Sequence, residues 1–327
     1  MRHISGLLAL AVAVFLSVGG ACAGSGVTPE EIAMVLERGH YVASFGVSEA
    51  GSPTIETDFG DLPTTLQFGD CNGDPPRCTD IAFIMPLAGI AVPSPLEMTQ
   101  RMIDWPFVKL YIHPDTGEPG AEMDITFVSG DPEMRLTVAI SLWRNIAKGL
   151  LDGIPERPWP SVLSTDVRAE AMVAAPSMVE GLLGRDESVS EEDHLKSVNP
   201  KTLAELFFAL GYNNRPLSEQ PLSLAVAVDQ SGAPVIVDVQ ACHWETEHCG
   251  QLVLVQFRSL EPEVTPELLN EFNIAEWFLT ATVFDDGLVF MMDIPTFDGL
   301  SQSDLNRYLE IWKGSVEEFY QLLEERG

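Results

Sequence analysis

Residues 265–301 read TPELLNEFNIAEWFLTATVFDDGLVFMMDIPTFDGLS, and a related pattern occurs earlier in the chain, at residues 94–132. Both stretches contain a hydroxyl residue before proline, then an aromatic residue, a glycine turn, a Met-Asp-Ile triplet and a glycine. The matched positions are Ser94-Pro95 and Thr265-Pro266, Phe107 and Phe278, Met123-Asp124-Ile125 and Met292-Asp293-Ile294, and Gly130 and Gly299. A hydroxyl residue followed by proline is typical of a helix start, and Asp-Gly between apolar runs predicts a β-hairpin.

The similarity extends outward from this stretch in both directions. Further matched pairs are Thr28-Pro29 and Asn199-Pro200, Tyr41 and Tyr212, Cys71 and Cys242, Cys78 and Cys249, Leu136 and Leu305, and Trp143 and Trp312. A repeat of about 125 residues is far longer than a solenoid unit and indicates a duplicated domain. We therefore predict a signal peptide at 1–23, a first domain at 24–152, a linker at 153–197 and a second domain at 198–327.

Each repeat is predicted to fold in the order helix, strands, helix, hairpin, helix. Thr28 with Glu31 forms a capping box before the first helix. Apolar runs of strand length follow at 54–59, 64–68 and 80–87, and at 223–228, 234–240 and 251–257. The closing helix of the second repeat carries an apolar stripe made of Leu305, Leu309, Trp312, Val316, Phe319 and Leu323. These patterns predict an α+β fold with an antiparallel sheet in each repeat.

The first residues predict export. Arg2 supplies a positive end, residues 4–18 are almost continuously apolar, and Ala21-Cys22-Ala23 offers a cleavage site. We expect cleavage near Ala23 and a periplasmic or secreted protein without stable membrane insertion, since the apolar run is too short to span a bilayer comfortably. A lipoprotein modified at Cys22 is the less favoured alternative, because Gly19-Gly20-Ala21 lacks the apolar residue usual upstream of such sites.

The chain is strongly acidic. It has 18 Lys and Arg residues against 49 Asp and Glu residues, a formal net charge of −31, and cleavage after Ala23 would remove Arg2 and no acid. Such a surface repels phosphate backbones, which argues against a nucleic-acid partner. A solvated acidic coat explains the charge most simply, and attraction of a basic partner or of divalent cations is the functional alternative.

Cleavage would leave one Cys-x6-Cys pair in each repeat. In an oxidising compartment this spacing predicts disulfides Cys71–Cys78 and Cys242–Cys249. The loop CHWETEHC at 242–249 also holds His243 and His248, and thiolates with imidazoles are zinc's preferred ligands. The matching loop at 71–78 has no histidine, so the shared feature is the cysteine pair. We therefore favour disulfides and predict no metal site.

No residue pattern marks a catalytic or cofactor site. Asp124 and Asp293 could be proposed as paired acid–base carboxylates, but their alternation predicts outward positions on a strand. Trp143 and Trp312 lie on apolar helical stripes, which favours core packing. The nucleophile-elbow, phosphate-loop and dinucleotide-loop motifs do not occur in the sequence, so we predict a protein without catalytic residues or cofactor.

One group of motifs resembles the YbjN family of bacterial proteins. It consists of Leu269-Asn270-Glu271-Phe272-Asn273, Trp277-Phe278, Asp286-Gly287, Met292-Asp293-Ile294 and Gly299-Leu300-Ser301, and the first repeat retains part of it. The resemblance implies two tandem copies of an α+β fold similar to type III secretion chaperones, a role as a sensory transduction regulator, and no catalytic residues. Chaperones of that fold form dimers, so we predict an intramolecular pseudo-dimer with the closing helices as its seam and a shared groove.

These observations predict an exported, non-enzymatic binding or regulatory protein of the cell envelope that recognises a protein or peptide partner. The sequence assigns no partner-binding residues. Two alternatives remain open: a zinc-dependent hydrolase centred on the loop from Cys242 to Cys249, and an acidic structural protein of the envelope.

Overall fold

The computed structural model describes residues 26–87, 94–101, 107–127, 132–151, 194–195, 198–217, 222–228, 233–243, 248–261, 264–284, 287–296 and 299–326. For residues 99–101, 194–195, 241–243 and 248 it describes the backbone alone. The predicted signal peptide, Cys22 and most of the predicted linker lie outside these ranges. Within them, no helix has the length and apolar character that crossing a bilayer requires.

The described residues of the first half form one antiparallel sheet with three helices. Its elements are α1 (Pro29–Arg38), β1 (Ser44–Val47), β2 (Pro53–Asp58), β3 (Pro63–Asn72), β4 (Arg77–Pro86), α2 (Pro95–Arg101), β5 (Lys109–Ile112), β6 (Pro119–Thr126) and α3 (Pro132–Leu151). The six strands lie in the order β1-β2-β3-β4-β6-β5.

The second half repeats this architecture. Its elements are β7 (His194–Leu195), α4 (Pro200–Ala209), β8 (Asn214–Pro216), β9 (Ser223–Val226), β10 (Val235–His243), β11 (His248–Ser259), α5 (Pro266–Ala275), β12 (Leu279–Phe284), β13 (Gly287–Pro295), β14 (Leu300–Ser301) and α6 (Gln302–Arg326). The large sheet has the order β8-β9-β10-β11-β13-β12, which matches the first half strand for strand. The predicted α+β fold with antiparallel sheets is confirmed. The end of the predicted linker contributes β7, which pairs with β14.

The predicted helix caps are present. The Glu31 amide donates to Thr28 Oγ1 at 3.2 Å, and the Thr28 amide donates to the Glu31 carboxylate at 2.9 Å. Asn199 and Thr202 form the same reciprocal pair at the start of α4, and Thr265 accepts from the amide of Leu268 at the start of α5. These bonds satisfy amides that have no partner within a helix, so they define where each helix begins.

Each half has its own apolar core with a fully buried tryptophan from its closing helix. Trp143 and Trp312 are both inaccessible to solvent, which confirms the prediction of core packing. Trp143 Nε1 donates to Thr64 Oγ1 at 3.0 Å. The corresponding position in the second half is Val235, and Trp312 Nε1 has no hydrogen-bond partner among the described residues.

Candidate binding site at the seam between the halves

The two halves meet along a surface that we call the seam. It joins α2 to α5, α2 to β12, and α5 to β5. Since α2 corresponds to α5 and β5 to β12, each half offers the same elements to the other, as in an isologous interface. The prediction that the closing helices form the seam is wrong, because α3 and α6 use their apolar faces to cover their own sheets. A long ion pair, Arg135 to Asp304 at 3.8 Å, also joins these two helices.

Two aspartates make mirrored hydrogen bonds across the seam. The Phe278 amide donates to Asp124 Oδ2 at 2.8 Å, and the Phe107 amide donates to Asp293. Both phenylalanines have φ of 66°, a left-handed backbone conformation that bulky residues rarely adopt. The predicted outward position of Asp124 is wrong, since this residue is only 7% exposed. The two carboxylates are not brought together as an acid–base pair, because each one anchors the opposite half.

A buried ion cluster lies beside Asp124. Lys109 Nζ contacts Glu122 Oε1 at 2.6 Å and Asp124 Oδ2 at 3.0 Å, and it also donates to the backbone carbonyl of Glu276 in the second half. Lys109 and Glu122 are direct cross-strand neighbours on β5 and β6. One lysine therefore links two carboxylates of the first half to the backbone of the second.

Burial and charge act against each other in this cluster. Burial raises the pKa of Glu122 to about 8, and the attraction of Lys109 offsets this only in part. Burial by itself would lower the pKa of Lys109, but the neighbouring charges of Asp124 and Glu122 outweigh it, so this pKa is raised. Lys109 and Glu122 consequently hold their protons more firmly than the same groups would in water.

Two asparagines of α5 close the outer edges of the two sheets. Asn270 accepts from the Ile112 amide at 2.8 Å and donates to the Ile112 carbonyl at 2.9 Å, so it pairs with β5 of the first half. Asn273 makes the same two bonds with Ala281 of β12, at 2.8 and 2.9 Å. A carboxamide has one donor group and one acceptor, so it can satisfy a strand edge as a neighbouring strand would. Both asparagines belong to the sequence motif that resembles the YbjN family, but the sequence did not predict that they pair with the edge strands. The available signal was their spacing of three, which places them on one helix face.

A cleft of about 310 Å³ opens on the seam. The first half contributes Gly69, Asp70 and Asp80, and the second contributes Ala275, Glu276, Trp277, Phe278, Arg307, Ile311 and Ser315. Arg307 pairs with Asp70 at 2.7 Å and with Asp80 at 3.2 Å, so this side of the cleft is also tied together across the seam. A Cβ atom on Gly69 would lie 2.7 Å from the ring of Trp277, which explains why this strand position carries glycine.

The carboxyl group of Glu276 lies at the other side of the cleft. Glu276 is hydrogen-bonded to Glu318 and to Ser315, both on α6. Burial, followed by the hydrogen bond to Glu318, raises the pKa of Glu276 to about 7.

A larger cleft, of about 920 Å³, lies within the first half between α1 and α3. Three of its charged side chains have partners: Arg38 pairs with Glu133 at 2.9 Å, and Arg144 donates to the Tyr41 hydroxyl at 3.2 Å. The seam cleft is smaller, but residues of both halves line it. It is therefore the better candidate for recognition.

Comparison with known proteins supports the predicted family. Residues 199–325, from α4 to α6, match the YbjN family model, which is described as "Putative bacterial sensory transduction regulator". The second half of this chain is therefore similar to the YbjN family, and we use the name YbjN half for it. No curated protein and no solved structure matches the chain. The matched region contains Asn270 and Asn273, so the YbjN half supplies both edge-closing asparagines.

The cysteine predictions have different outcomes in the two halves. Cys71 and Cys78 form a disulfide across β3 and β4, as predicted. In the YbjN half Cys249 is disulfide-bonded and Cys242 stands opposite it in the β10–β11 register, but the side chains of Cys242, His243 and His248 lie outside the description. A bonded Cys249 cannot supply a thiolate to zinc, which weakens the zinc-hydrolase alternative. The described side chains contain no group of three or more His, Cys, Asp or Glu residues suited to a metal ion.

Proposed function

We propose that this protein is an exported, non-enzymatic binding or regulatory protein of the cell envelope that recognises a protein partner at the seam. The regulatory description of the YbjN family supports a binding role. One observation carries the choice of surface: the seam cleft takes its walls from both halves, so it exists only while the halves are docked. The mirrored bonds of Asp124 and Asp293 hold that docked arrangement.

The chemistry of the seam favours binding over turnover. Its most perturbed groups, Lys109 and Glu122, are both under 7% exposed and contact each other and the opposite backbone. A general acid or base has to reach the proton that it transfers, and these groups are enclosed by protein. Their position suits them to holding the halves together.

An oxidising compartment is part of the proposal. The disulfide Cys71–Cys78 supports it, because such bonds form and persist mainly outside the cytoplasm. The apolar residues 4–18 and the cleavage site ending at Ala23 would act as the signal peptide that directs export. Fractionation of cells that express the full chain, with intact mass measured before and after reduction, tests export, cleavage and the disulfides together.

Site-specific photo-crosslinking tests partner binding. A photoreactive amino acid would replace Ala275, an exposed residue that lines the cleft, and a control protein would carry it at Met34, exposed on α1 of the first half. We expect a defined adduct from position 275 in envelope extracts and a much weaker one from position 34. Equal labelling from both positions, or none from position 275, would contradict recognition at the seam.

A further inference from the structure

We infer that β1 is a pairing edge at which two copies of this chain join their first-half sheets as an antiparallel dimer. β1 lies at the opposite edge of the sheet from β5, which belongs to the seam. Dimer formation through β1 is therefore independent of partner binding at the seam. Three features of the strand support it: its contrast with the other sheet edges, the direction of its backbone groups and its symmetry about Gly46.

The other three edges of the two large sheets are closed or protected. Asn270 bonds to the backbone of β5, and Asn273 bonds to the backbone of β12. β8, the counterpart of β1 in the second half, has three residues and contains Arg215 and Pro216. A charged residue and a proline are common means of preventing an edge strand from pairing. β1 reads Ser-Phe-Gly-Val and contains neither.

β1 also presents apolar side chains to solvent. Phe45 is 59% exposed and Val47 is 72% exposed, and the remaining two residues of the strand are exposed as well. Phe45 and Val47 are two positions apart, so their side chains lie on the same face of the sheet. An exposed, uncharged and apolar edge is the kind of strand to which a further strand adds.

The backbone groups of the same two residues point away from the sheet. In an antiparallel pair, successive residues direct their N–H and C=O groups alternately toward the neighbouring strand and away from it. The Ser48 amide donates to the Ser52 carbonyl at 2.8 Å, so Ser48 and, two positions earlier, Gly46 are residues that bond toward β2. The amide and carbonyl groups of Phe45 and Val47 consequently face the open edge.

The strand is complementary to a second copy of itself. With a two-fold axis at Gly46, Phe45 lies opposite the partner's Val47, and Val47 lies opposite the partner's Phe45. Each of these pairs exchanges both of its N–H···O=C bonds, because the backbone groups of both residues face outward. The apolar side chains then contact each other across the strands, and the glycine places no side chain at the axis. An isologous contact of this kind closes as a dimer.

The absence of charge on β1 favours a second copy over a basic peptide as its partner. A basic peptide would find its complement in the acidic residues of this chain, and β1 itself contains none. The net charge of −31 makes two copies repel each other, so we expect salt to strengthen the dimer by screening this repulsion. A strand of four residues also buries little surface, which is typical of a weak and reversible association.

Sedimentation equilibrium with a matched pair of variants tests the dimer. The purified protein is measured from about 10 μM to about 1 mM, a range that covers weak association, at low and at high salt. Phe45→Lys places a charge in the pairing edge, and Phe208→Lys makes the same change on α4 at a residue of nearly equal exposure, 60%. Both side chains are largely exposed, so we expect both variants to fold, which circular dichroism checks. Amide hydrogen exchange of the unmodified protein shows whether β1 is the contact.

We expect a reversible equilibrium between monomer and dimer, with amide protection at Phe45 and Val47 that increases with protein concentration. Phe45→Lys should raise the dissociation constant of the dimer by about tenfold, because the change occurs twice in each dimer, and Phe208→Lys by less than about twofold. A protein that stays monomeric up to about 1 mM, or equal effects of the two variants, would overturn the inference. A dimer that leaves the amides of Phe45 and Val47 unprotected would overturn it too, since another surface would then form the contact. Protection of these amides in an envelope extract, without self-association of the pure protein, would identify a strand of another protein as the occupant and would refute pairing between two copies.

Discussion

Replacing Asp124 and Asp293 by alanine, one at a time, separates the contribution of the buried ion cluster from that of the mirrored hydrogen bonds. Asp124 accepts from the Phe278 amide at 2.8 Å and also contacts Lys109 at 3.0 Å. Asp293 accepts from the Phe107 amide and from Gln251 Nε2 at 2.6 Å, both uncharged donors. The two substitutions therefore remove equivalent seam bonds, but Asp124→Ala alone also removes one carboxylate partner of Lys109.

The expected magnitudes follow from these contacts. A buried amide left without its acceptor costs about 1–3 kcal/mol. Removing one partner of a buried ion pair costs about 3–5 kcal/mol, and the two costs do not add fully because they arise in the same place. We expect the free energy of unfolding to fall by about 4 kcal/mol for Asp124→Ala, since Glu122 still faces Lys109, and by about 2 kcal/mol for Asp293→Ala.

Guanidinium unfolding followed by both tryptophan fluorescence and circular dichroism provides the measurement. If the two halves separate before they unfold, one unfolding transition becomes two. The fluorescence and circular dichroism transitions therefore have to be compared, together with the slope of the unfolding free energy against denaturant concentration. Glu324→Ala, at an exposed position of α6, serves as the control and should change the unfolding free energy by less than about 0.5 kcal/mol. Equal losses of unfolding free energy in the two aspartate variants would show that the ion pair with Lys109 adds no stability. If neither variant changed the unfolding transition, the seam would be refuted as a stabilising contact.

Three further predictions concern the seam and the cores. Gly69→Ala should displace Trp277, because the new Cβ would lie 2.7 Å from its ring, and should lower the unfolding free energy by about 1–3 kcal/mol; a red-shifted Trp277 fluorescence would reveal the displacement. Acidification should stabilise the protein, because the pKa of Glu122 rises from 4.5 to about 8 on folding and that of Glu276 from 4.5 to about 7, so the folded state binds more protons. Guanidinium midpoints should therefore fall as the pH rises from about 5 to about 8, and Glu122→Gln should flatten this dependence; an unchanged slope in the variant would count against Glu122 as its source. Val235→Thr should stabilise the YbjN half by about 1 kcal/mol, because it offers Trp312 the acceptor that Thr64 gives Trp143; a melting temperature at or below that of the wild type would disprove this.

Local patterns in the sequence were sufficient for most elements within each half. Thr28 and Asn199 predicted helix starts, and the Asp-Gly turn at 286–287 predicted the hairpin that became β12 and β13. Four short strands were missed, of which β7 and β14 have two residues each. Of the other two, β1 is exposed along its whole length, and β8 has three residues and ends in Pro216. Neither segment shows the alternation of buried and exposed residues by which a strand is recognised.

The position of Asp124 could not be predicted because the rule used for it assumes a solvated sheet face. All eight residues of β6 are buried, so alternation along this strand does not separate inside from outside. The same applies to Lys109 and Glu122, whose charged side chains would ordinarily predict exposure. Their burial results from the second half of the chain, which supplies the carbonyl of Glu276 and the amide of Phe278.

The sequence by itself predicted the repeated order of elements and the apolar residues of the cores, because caps, turns and apolar periodicity act between residues close together in the chain. Only the tertiary structure decided that α2 and α5 pack against each other at the seam while α3 and α6 cover their own sheets with their apolar faces, and that Asn270 pairs with β5 of the other half. The physical reason is that these contacts join residues more than 150 positions apart, as between Asp124 and Phe278. Whether such groups come into contact depends on the shapes and charges of the surfaces of the two folded halves, and local sequence patterns do not predict these.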